Sequence, residues 1–457
     1  MARVIPGVEI KVVKEIVPQQ LYPAGVVGMI GTATDGPVLK PTPVTSYREV
    51  ASIFGDSGSL VRDAKLAFMN GVFQVFATRV VGSGGQMATG TLKAPKKKDT
   101  VKLTSRLVGE SGNDIDVAVL RGQTENSVRL EITNGRQSET FDNLTMQSGG
   151  SVGPTANQFN LVDYLNANSK LVSAESLGAA GDFPDNNPVN VEVSLTGGAS
   201  VPPSKDDYEK ALEMLEMEAE VDGVYACDSW DPAVHALVDA HCKNMSTDAK
   251  NRIGIGTVGP NETVDDIIKR SDVLASDRFV TVAPYGVAGA VAGLISKLNY
   301  WESPTFKALT GIADIERRYT PSEQMKLLTN GILPVDAVRG RGIIVVKGIT
   351  TSKEQISVMR VADHAVRGIK NVSDNFIGTL NNARGRLALR ERLTGFLLSM
   401  EKEESLVPST DGTKPAFLVD VYSSQEDFAQ GIVRVDVAVR PVRAMDYIYA
   451  TLTVQAY

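Results

Sequence analysis

Apolar and polar residues alternate strictly in two short segments, one near each end of the chain, and this period of two predicts half-buried β-strands. The apolar positions are Val8, Ile10 and Val12 near the beginning and Ile448, Ala450, Leu452 and Val454 near the end. Terminal segments usually fray unless something holds them, and an apolar strand edge tends to aggregate without a partner. The pattern leaves two interpretations open: each strand pairs within its own domain, or it adds to a sheet of another subunit.

Between the two ends, apolar strands alternate with segments of helical period, which predicts a mostly parallel, doubly wound α/β sheet. Strand AGVVGMIGTA, a helix near 60–70 and strand FQVFATRVV open this region, and the alternation resumes from 204 to 298. The run 279–296 is uncharged, but Pro284 and Gly286 interrupt it. We therefore expect a buried strand and a small-residue helix there rather than a membrane span.

A polar stretch rich in glycine, lysine and proline at 81–100 marks a change of composition. Short strand-like segments follow from 101 to about 195, which is typical of an all-β insert. The predicted division has five parts: an N-terminal arm (1–20), the first part of the α/β core (21–90), an inserted all-β domain (91–198), the rest of the α/β core (199–348), and an α+β C-terminal domain with a C-terminal arm (349–457).

Three helix starts are predicted from capping patterns. Thr320 with Glu323 predicts a helix over 321–330, and Ser352 with Gln355 predicts the start of the next helix. A third helix begins near Asn382. Its apolar stripe consists of Leu389, Leu393, Phe396, Leu397 and Met400. At 100° per residue, the basic residues that lie largely away from this stripe are Arg384, Arg392 and Lys402.

Composition and charge narrow the functional classes. The chain has 457 residues with 47 Lys and Arg against 54 Asp and Glu, a net charge of −7, which is unfavourable for wrapping nucleic acid. Two cysteines in a chain of this length exclude a disulfide framework and favour a reducing compartment. The beginning of the chain has no apolar leader, so we expect no signal peptide. With the interrupted run at 279–296 and the net negative charge, we also expect no stable membrane insertion and no direct binding of nucleic acid.

Candidate catalytic and ligand motifs are few. Gly254, Gly256 and Gly259 match the dinucleotide pattern GxGxxG, but they alternate with apolar residues inside the predicted strand, and Pro260 separates them from the next helix. The cysteines and histidines at 227–242 lack the spacing of a zinc site, and no GxSxG nucleophile motif occurs. We expect no catalytic residue, cofactor or metal. The alternative is an α/β nucleotide-binding enzyme that uses the Gly254–Gly259 loop.

A series of short motifs resembles, in its order along the chain, the contractile tail sheath proteins of myophages and related phage-tail-like particles. The motifs are Pro6-Gly7-Val8, GMIGTA at 28–33, Asp35-Gly36-Pro37, Val44-Thr45-Ser46, Phe54-Gly55, LVRDAKLAFMNG at 60–71, FATRVV at 76–81, SGNDIDVAVL at 111–120, SPTFKALTGI at 303–312 and RPVRAMDYIYATLTV at 440–454. One departure is Glu110-Ser111, where an aromatic residue often precedes the glycine-asparagine pair.

The resemblance implies a subtilisin-like α/β core without catalytic residues, an inserted β-sandwich-like domain and an α+β C-terminal domain with extended arms at both termini. It implies a structural subunit that polymerises as stacked hexameric rings around an inner tube and contracts to drive the tube through a target cell envelope. The implied partners are further copies of the chain, the tube protein, and baseplate and tail terminator proteins. The subunit would assemble in the host cytoplasm into a virion tail or a related particle.

The resemblance also places the C-terminal domain against the tube, which makes Arg384, Arg392 and Lys402 candidate tube-facing residues. A solvated helix face would show the same charges, so this second interpretation stays open. The sequence does not distinguish a phage from a bacteriocin or a secretion-type particle.

Overall fold

The computed structural model describes residues 25–147, 157–178, 182–271 and 273–452. Val8, Ile10, Val12 and Val454, which belong to the predicted arms, lie outside the described residues. The described residues divide into two compact units, a smaller one with residues 362–442 and a larger one with residues 25–361 and 443–452.

The larger unit contains a central sheet and two further sheets. Its strands are β1 (Val26–Gly31), β2 (Thr42–Val44), β3 (Gln74–Arg79), β4 (Met87–Lys93), β5 (Asp99–Val108), β6 (Asp116–Arg121), β7 (Val128–Thr133), β8 (Ser138–Thr145), β9 (Phe159–Asn160), β10 (Val172–Ser176), β11 (Val191–Ser194), β12 (Gly223–Ala226), β13 (Ile253–Thr257), β14 (Phe279–Ala283), β15 (Ile332–Val338) and β16 (Gly342–Val345). Its helices are α1 (Tyr47–Phe54), α2 (Ser59–Met69), α3 (Leu161–Asn168), α4 (Lys205–Leu215), α5 (Pro232–Thr247), α6 (Val264–Ser271), α7 (Ala288–Lys297) and α8 (Pro321–Thr329).

The central sheet has the order β16-β15-β14-β13-β12-β1-β3-β2. Its inner strands run parallel from β15 to β3, and the edge strands β16 and β2 are antiparallel to their neighbours. Helices α2 and α7 cover one face, whereas α4 and α5 cover the other. Both faces are therefore buried, which explains why the inner strands read as continuous apolar runs. The predicted mixed α/β architecture is confirmed.

The uncharged run 279–296 forms the buried strand β14 and the helix α7, as the sequence predicts. The small residues of α7 allow α2 to approach closely. A Cβ added at Gly293 would overlap the carbonyl oxygen of Ala67, and one added at Gly289 would lie 2.8 Å from that of Asp63. Among the described residues, no helix combines the length and apolar character needed to cross a membrane.

The described strands between residues 87 and 195 form two sheets, β10-β5-β4 and β11-β6-β7-β8-β9, around an apolar core of their own. The two ends of this segment meet, because Gln86 and Ala199 each donate a backbone hydrogen bond to the other, at 2.9 and 3.1 Å. The expectation of an all-β segment needs one correction. Helix α3 packs against β10, with the Asn160 side chain capping its first turn.

Along the chain, α9 (Ile356–Asp374) leads into the smaller unit, which continues with α10 (Ala383–Lys402), β17 (Phe417–Tyr422), α11 (Gln425–Ala429) and β18 (Arg434–Val439). Strands β17 and β18 form an antiparallel hairpin that packs against α10. The half-buried positions of β18 are Val435, Val437 and Val439, which fits the alternation of its sequence.

Two of the three predicted helix starts are confirmed, and one is wrong. The Thr320–Glu323 capping box is present, and the Asn382 side chain accepts a hydrogen bond from the Gly385 amide at 2.7 Å. The predicted box of Ser352 and Gln355 does not form. Lys353 adopts a left-handed φ of 73°, so the chain makes a turn there and α9 begins only at Ile356.

Candidate functional site

The glycines of the GxGxxG pattern create space for side chains rather than for a ligand. Gly254 and Gly256 lie inside the buried strand β13. A Cβ added to them would lie 2.7 and 2.6 Å from the Phe279 ring, and the one at Gly256 would also approach the His235 ring at 2.8 Å. The pattern therefore arises from close packing between β13, β14 and α5.

The loop after β13 has the wrong charge for a phosphate. The Gly259 amide donates to the Glu262 carboxylate at 2.6 Å, and Asp265 and Asp266 follow in the first turn of α6. A pyrophosphate at this helix start would meet negative charges instead of open amides. The adjoining cavity, about 180 Å³, is also smaller than the roughly 300–1,000 Å³ of typical ligand pockets.

Doubly wound sheets usually bind ligands where the strand order reverses, which here is the carboxyl edge of β1 and β12. Side chains fill this position. A Cβ added at Gly31 would meet the Ser59 hydroxyl at 2.8 Å and the Cys227 Cβ at 2.9 Å. The crevice thus contains the first turn of α2.

A partly buried ion network continues from this crevice. Arg62 bridges Asp63 and Asp228 at 3.1 and 2.9 Å, and the Tyr225 hydroxyl donates to Asp63 at 2.8 Å. Burial raises the pKa of Asp63, and the Arg62 charge opposes that shift. One guanidinium thus pairs with both carboxylates, and the Tyr225 hydroxyl adds a hydrogen bond to one of them, which is typical of a structural ion cluster.

The cysteines and histidines near 227–242 also have structural contacts. Cys227 and Cys242 are buried, His235 Nε2 donates to the Ser229 carbonyl at 2.9 Å, and His241 Nε2 accepts from Arg252 Nη1 at 2.7 Å. Within the described part of the chain, no group of three or more His, Cys, Asp or Glu residues is placed to hold a metal ion.

The C-terminal segment 443–452 presents a row of apolar side chains to solvent. Its exposed fractions include Met445 89%, Tyr447 68%, Ile448 83%, Tyr449 95% and Leu452 88%. Of the predicted arm positions, Ile448, Ala450 and Leu452 are therefore placed, all exposed and outside regular secondary structure. Such a contiguous apolar segment usually marks an interaction site.

The hairpin of the smaller unit offers open strand edges. Among the described residues, β17 and β18 form a sheet of two strands. Each strand therefore has one edge without a neighbouring strand along its length, and residues 405–407 pair with 440–442 just beyond the end of β18. An isolated hairpin is marginally stable, and open edges accept further strands.

The exposed face of α10 carries the three predicted basic residues, Arg384, Arg392 and Lys402. The stripe on the opposite face is buried as predicted, except that Phe396 is only half-buried. Sequence reasoning missed three further residues on the exposed face: Leu387 and Leu398, which are 53% and 50% exposed, and Gly395, whose absent Cβ would meet open space. Their spacing from Arg384 was the available signal, because residues 384, 387, 395 and 398 share one side of a helix.

Residues 202–351, which include α4 through β16, match the family model of the phage tail sheath protein central domain. Over these residues the chain is similar to tail sheath proteins. A tail sheath protein of Staphylococcus phage Twort is 30% identical over 164 residues, which cover 32% of this chain and 27% of the phage protein. The chain thus spans about a quarter of the length of that curated relative.

The complete fold is similar to solved sheath structures. The sheath tail protein of Listeria innocua superposes with a TM-score of 0.66 at 16% identity, covering 93% of this chain and 94% of the other. The PVC sheath complex of an extracellular contractile injection system, in the contracted state, gives 0.60 at 13% identity, covering 99% and 98%. These likenesses concern the fold, and with the sheath domain they confirm the predicted resemblance to contractile tail sheath proteins.

Proposed function

We propose that the chain is a structural sheath subunit that polymerises as stacked hexameric rings around an inner tube and contracts to drive the tube through a target cell envelope. One observation carries this proposal: the chain combines an exposed apolar C-terminal segment with a two-stranded sheet whose outer edges are open. Donor and acceptor for strand addition are thus present in the same molecule.

Strand addition would connect neighbouring subunits through their backbones. Ile448, Ala450 and Leu452 would lie on one face of the extended sheet, and Val454 would continue the pattern. Val8, Ile10 and Val12 would add at the second open edge. Each hydrogen bond contributes only about 0.5–1.5 kcal/mol, so several bonds per arm are needed for a durable link.

Contraction would need no nucleotide. We propose that the extended sheath is kinetically trapped and that its subunit interfaces are better satisfied in the contracted lattice. The subtilisin-like core would serve as a non-catalytic scaffold. The segment 91–198 would form a β-sandwich-like domain on the outer surface, and its own apolar core supports that division. The boundaries 1–20, 21–90, 199–348 and 349–457 belong to the same proposal.

The face of α10 with Arg384, Arg392 and Lys402 would contact acidic groups on the tube. Gly395 supports a close approach, because a glycine in the middle of a helix costs about 0.5–1 kcal/mol and has no packing reason within the described residues. The sheath would also meet baseplate and tail terminator proteins, and it would assemble in the host cytoplasm into a virion tail or related particle.

The arm proposal is tested by charging one face of the C-terminal segment. Ile448→Asp with Leu452→Asp should leave a folded monomer that forms no tubes, because both side chains are exposed in the subunit but would be buried in the lattice. Thr451→Asp is the matched control on the opposite face and should still polymerise. Normal tubes from the double variant, seen by negative-stain electron microscopy, would contradict the proposal.

A further inference from the structure

The first residue of the exposed C-terminal segment is fixed by a two-point ion pair. Arg443 donates from Nη1 and Nη2 to the two carboxylate oxygens of Glu354, at 2.9 and 3.2 Å. Glu354 precedes α9, on the larger unit, and its side chain is only 32% exposed. A bidentate pair fixes direction as well as position, because both groups are planar.

The next residue is held through its backbone. The Gln355 side chain accepts from the Ala444 amide at 3.0 Å and donates to the Ala444 carbonyl at 3.1 Å, as a neighbouring strand would. The Gln355 side-chain nitrogen also donates to the Asp446 carboxylate at 2.7 Å. Gln355 is 7% exposed, so water competes little for these bonds.

Lys347 holds the end of this fixed stretch, at Asp446 and Tyr447. Its ammonium lies 3.3 Å from the Asp446 carboxylate, donates to the Tyr447 hydroxyl at 3.2 Å and sits 4.9 Å from the Tyr447 ring centroid. Burial opposes the charge on Lys347, but the Tyr447 and Asp446 contacts outweigh burial and raise its pKa. The Asp446 side chain is only 9% exposed.

We propose that Lys347, Glu354 and Gln355 form a clamp that sets the direction in which the C-terminal arm leaves its subunit. The clamp holds residues 443–447, and the apolar residues from Ile448 onward begin where it ends. Lys347, Glu354 and Gln355 are thus positioning residues, and this inference rests on the proposed role of the arm in connecting subunits.

The clamp has a physical purpose in such a lattice. A flexible segment would sample many directions, and ordering it on a neighbour would cost conformational entropy for each residue fixed. Because residues 443–447 are already ordered in the monomer, part of this entropy is lost before the arm binds. The arm then reaches its acceptor more often and binds it more tightly.

A label within the clamp tests this directly in the monomer. Met445 lies between the clamped residues but is 89% exposed, so Met445→Cys accepts a fluorophore without losing a contact, while Cys227 and Cys242 are buried. In this background, Glu354→Arg or Arg443→Glu should lower the fluorescence anisotropy of the label. The exchanged pair, Glu354→Arg with Arg443→Glu, should restore it.

Tube formation is the second readout. Each single reversal should abolish tubes or reduce their yield severalfold at an unchanged thermal transition, and the exchanged pair should recover them. Lys353→Glu, an exposed neighbour with a backbone turn contact, is the control and should match the parent protein in both assays. Arg443→Glu changes only the arm, so it keeps the test valid if Glu354→Arg fails to fold.

The possible outcomes separate this inference from the proposed function. Unchanged anisotropy after either single reversal, or a pair exchange that restores neither readout, would overturn the clamp even if the parent protein forms tubes. A parent protein that forms no tubes would count against the proposed function. The anisotropy result would still decide whether residues 443–447 are held by the clamp.

Discussion

At the scale of single residues, the core contains two histidines whose surroundings keep them neutral. His241 accepts from Arg252, so its Nε2 carries no proton, and His235 donates from Nε2 to the Ser229 carbonyl. Burial is the main cause that lowers the pKa of both histidines to about 4, and the Arg252 charge contributes at His241. Protonation of folded His241 would place a second positive charge beside the buried Arg252 and break the hydrogen bond between them, whereas protonation of His235 would place a charge in a buried site.

The protein should therefore lose stability as the pH falls from about 6.5 towards 4. An unfolded histidine takes up its proton near pH 6.5, whereas the folded ones do so near 4, so acid favours the unfolded chain. By pH 5 the loss should be about 2 kcal/mol per histidine. Urea unfolding at pH 7.5, 6 and 5 measures this loss, and His241→Gln should weaken the dependence. A free energy of unfolding that stays constant over this range would contradict the assignment.

Two helix glycines should respond in opposite directions to the same substitution. Gly293→Ala introduces a methyl group that overlaps the Ala67 carbonyl, so it should destabilise the fold by about 1–3 kcal/mol. Gly395→Ala points into open space and should stabilise the isolated subunit by about 0.5–1 kcal/mol. Chemical unfolding of the two variants decides the matter. Equal destabilisation by both would show that Gly395 is packed within its own chain.

At the scale of elements, the sequence predicts what depends on local pattern. The strand and helix at 279–296, the Thr320 capping box and the α10 stripe all follow from periodicity and capping rules. The start of α9 does not follow from these rules, because the Gln355 side chain hydrogen-bonds to Ala444 and Asp446, 89 and 91 positions further along the chain. The clamp escaped prediction for the same reason. Its pairs join distant segments that only the fold brings together.

The exposed face of α10 provides a prediction about the tube. Arg384→Glu with Arg392→Glu should give a sheath that polymerises but no longer assembles in extended form on tubes. Each exposed ion pair is worth only about 0–1 kcal/mol, so the contact depends on its repetition around the ring. The repulsion after charge reversal is repeated in the same way. Co-sedimentation with tubes measures the loss.

The matched control for this reversal is Lys370→Glu with Arg390→Glu. It changes the net charge of the same unit by the same amount, and Arg390 points about 120° away from Arg384 around the helix. The control variant should retain tube-bound extended particles. If the Arg384 and Arg392 variant retains them as well, the face is simply solvated and the tube contact lies elsewhere.

At the scale of the whole molecule, the chain combines an α/β unit, an exposed C-terminal segment and a two-stranded hairpin. The chain has the first turn of α2 and an acidic loop at the sheet edge where related architectures bind ligands. Its unsatisfied surfaces are instead at the C-terminal segment and the hairpin. Energy for movement would then reside in contacts between subunits.

The most direct test of this account is cryo-electron microscopy of the purified full-length protein after polymerisation. The account predicts tubes with six subunits per ring, in which residues 448–454 of each subunit pair as a strand with the β17–β18 sheet of a neighbour. Discrete small oligomers, or tubes in which this segment folds back on its own chain, would contradict it.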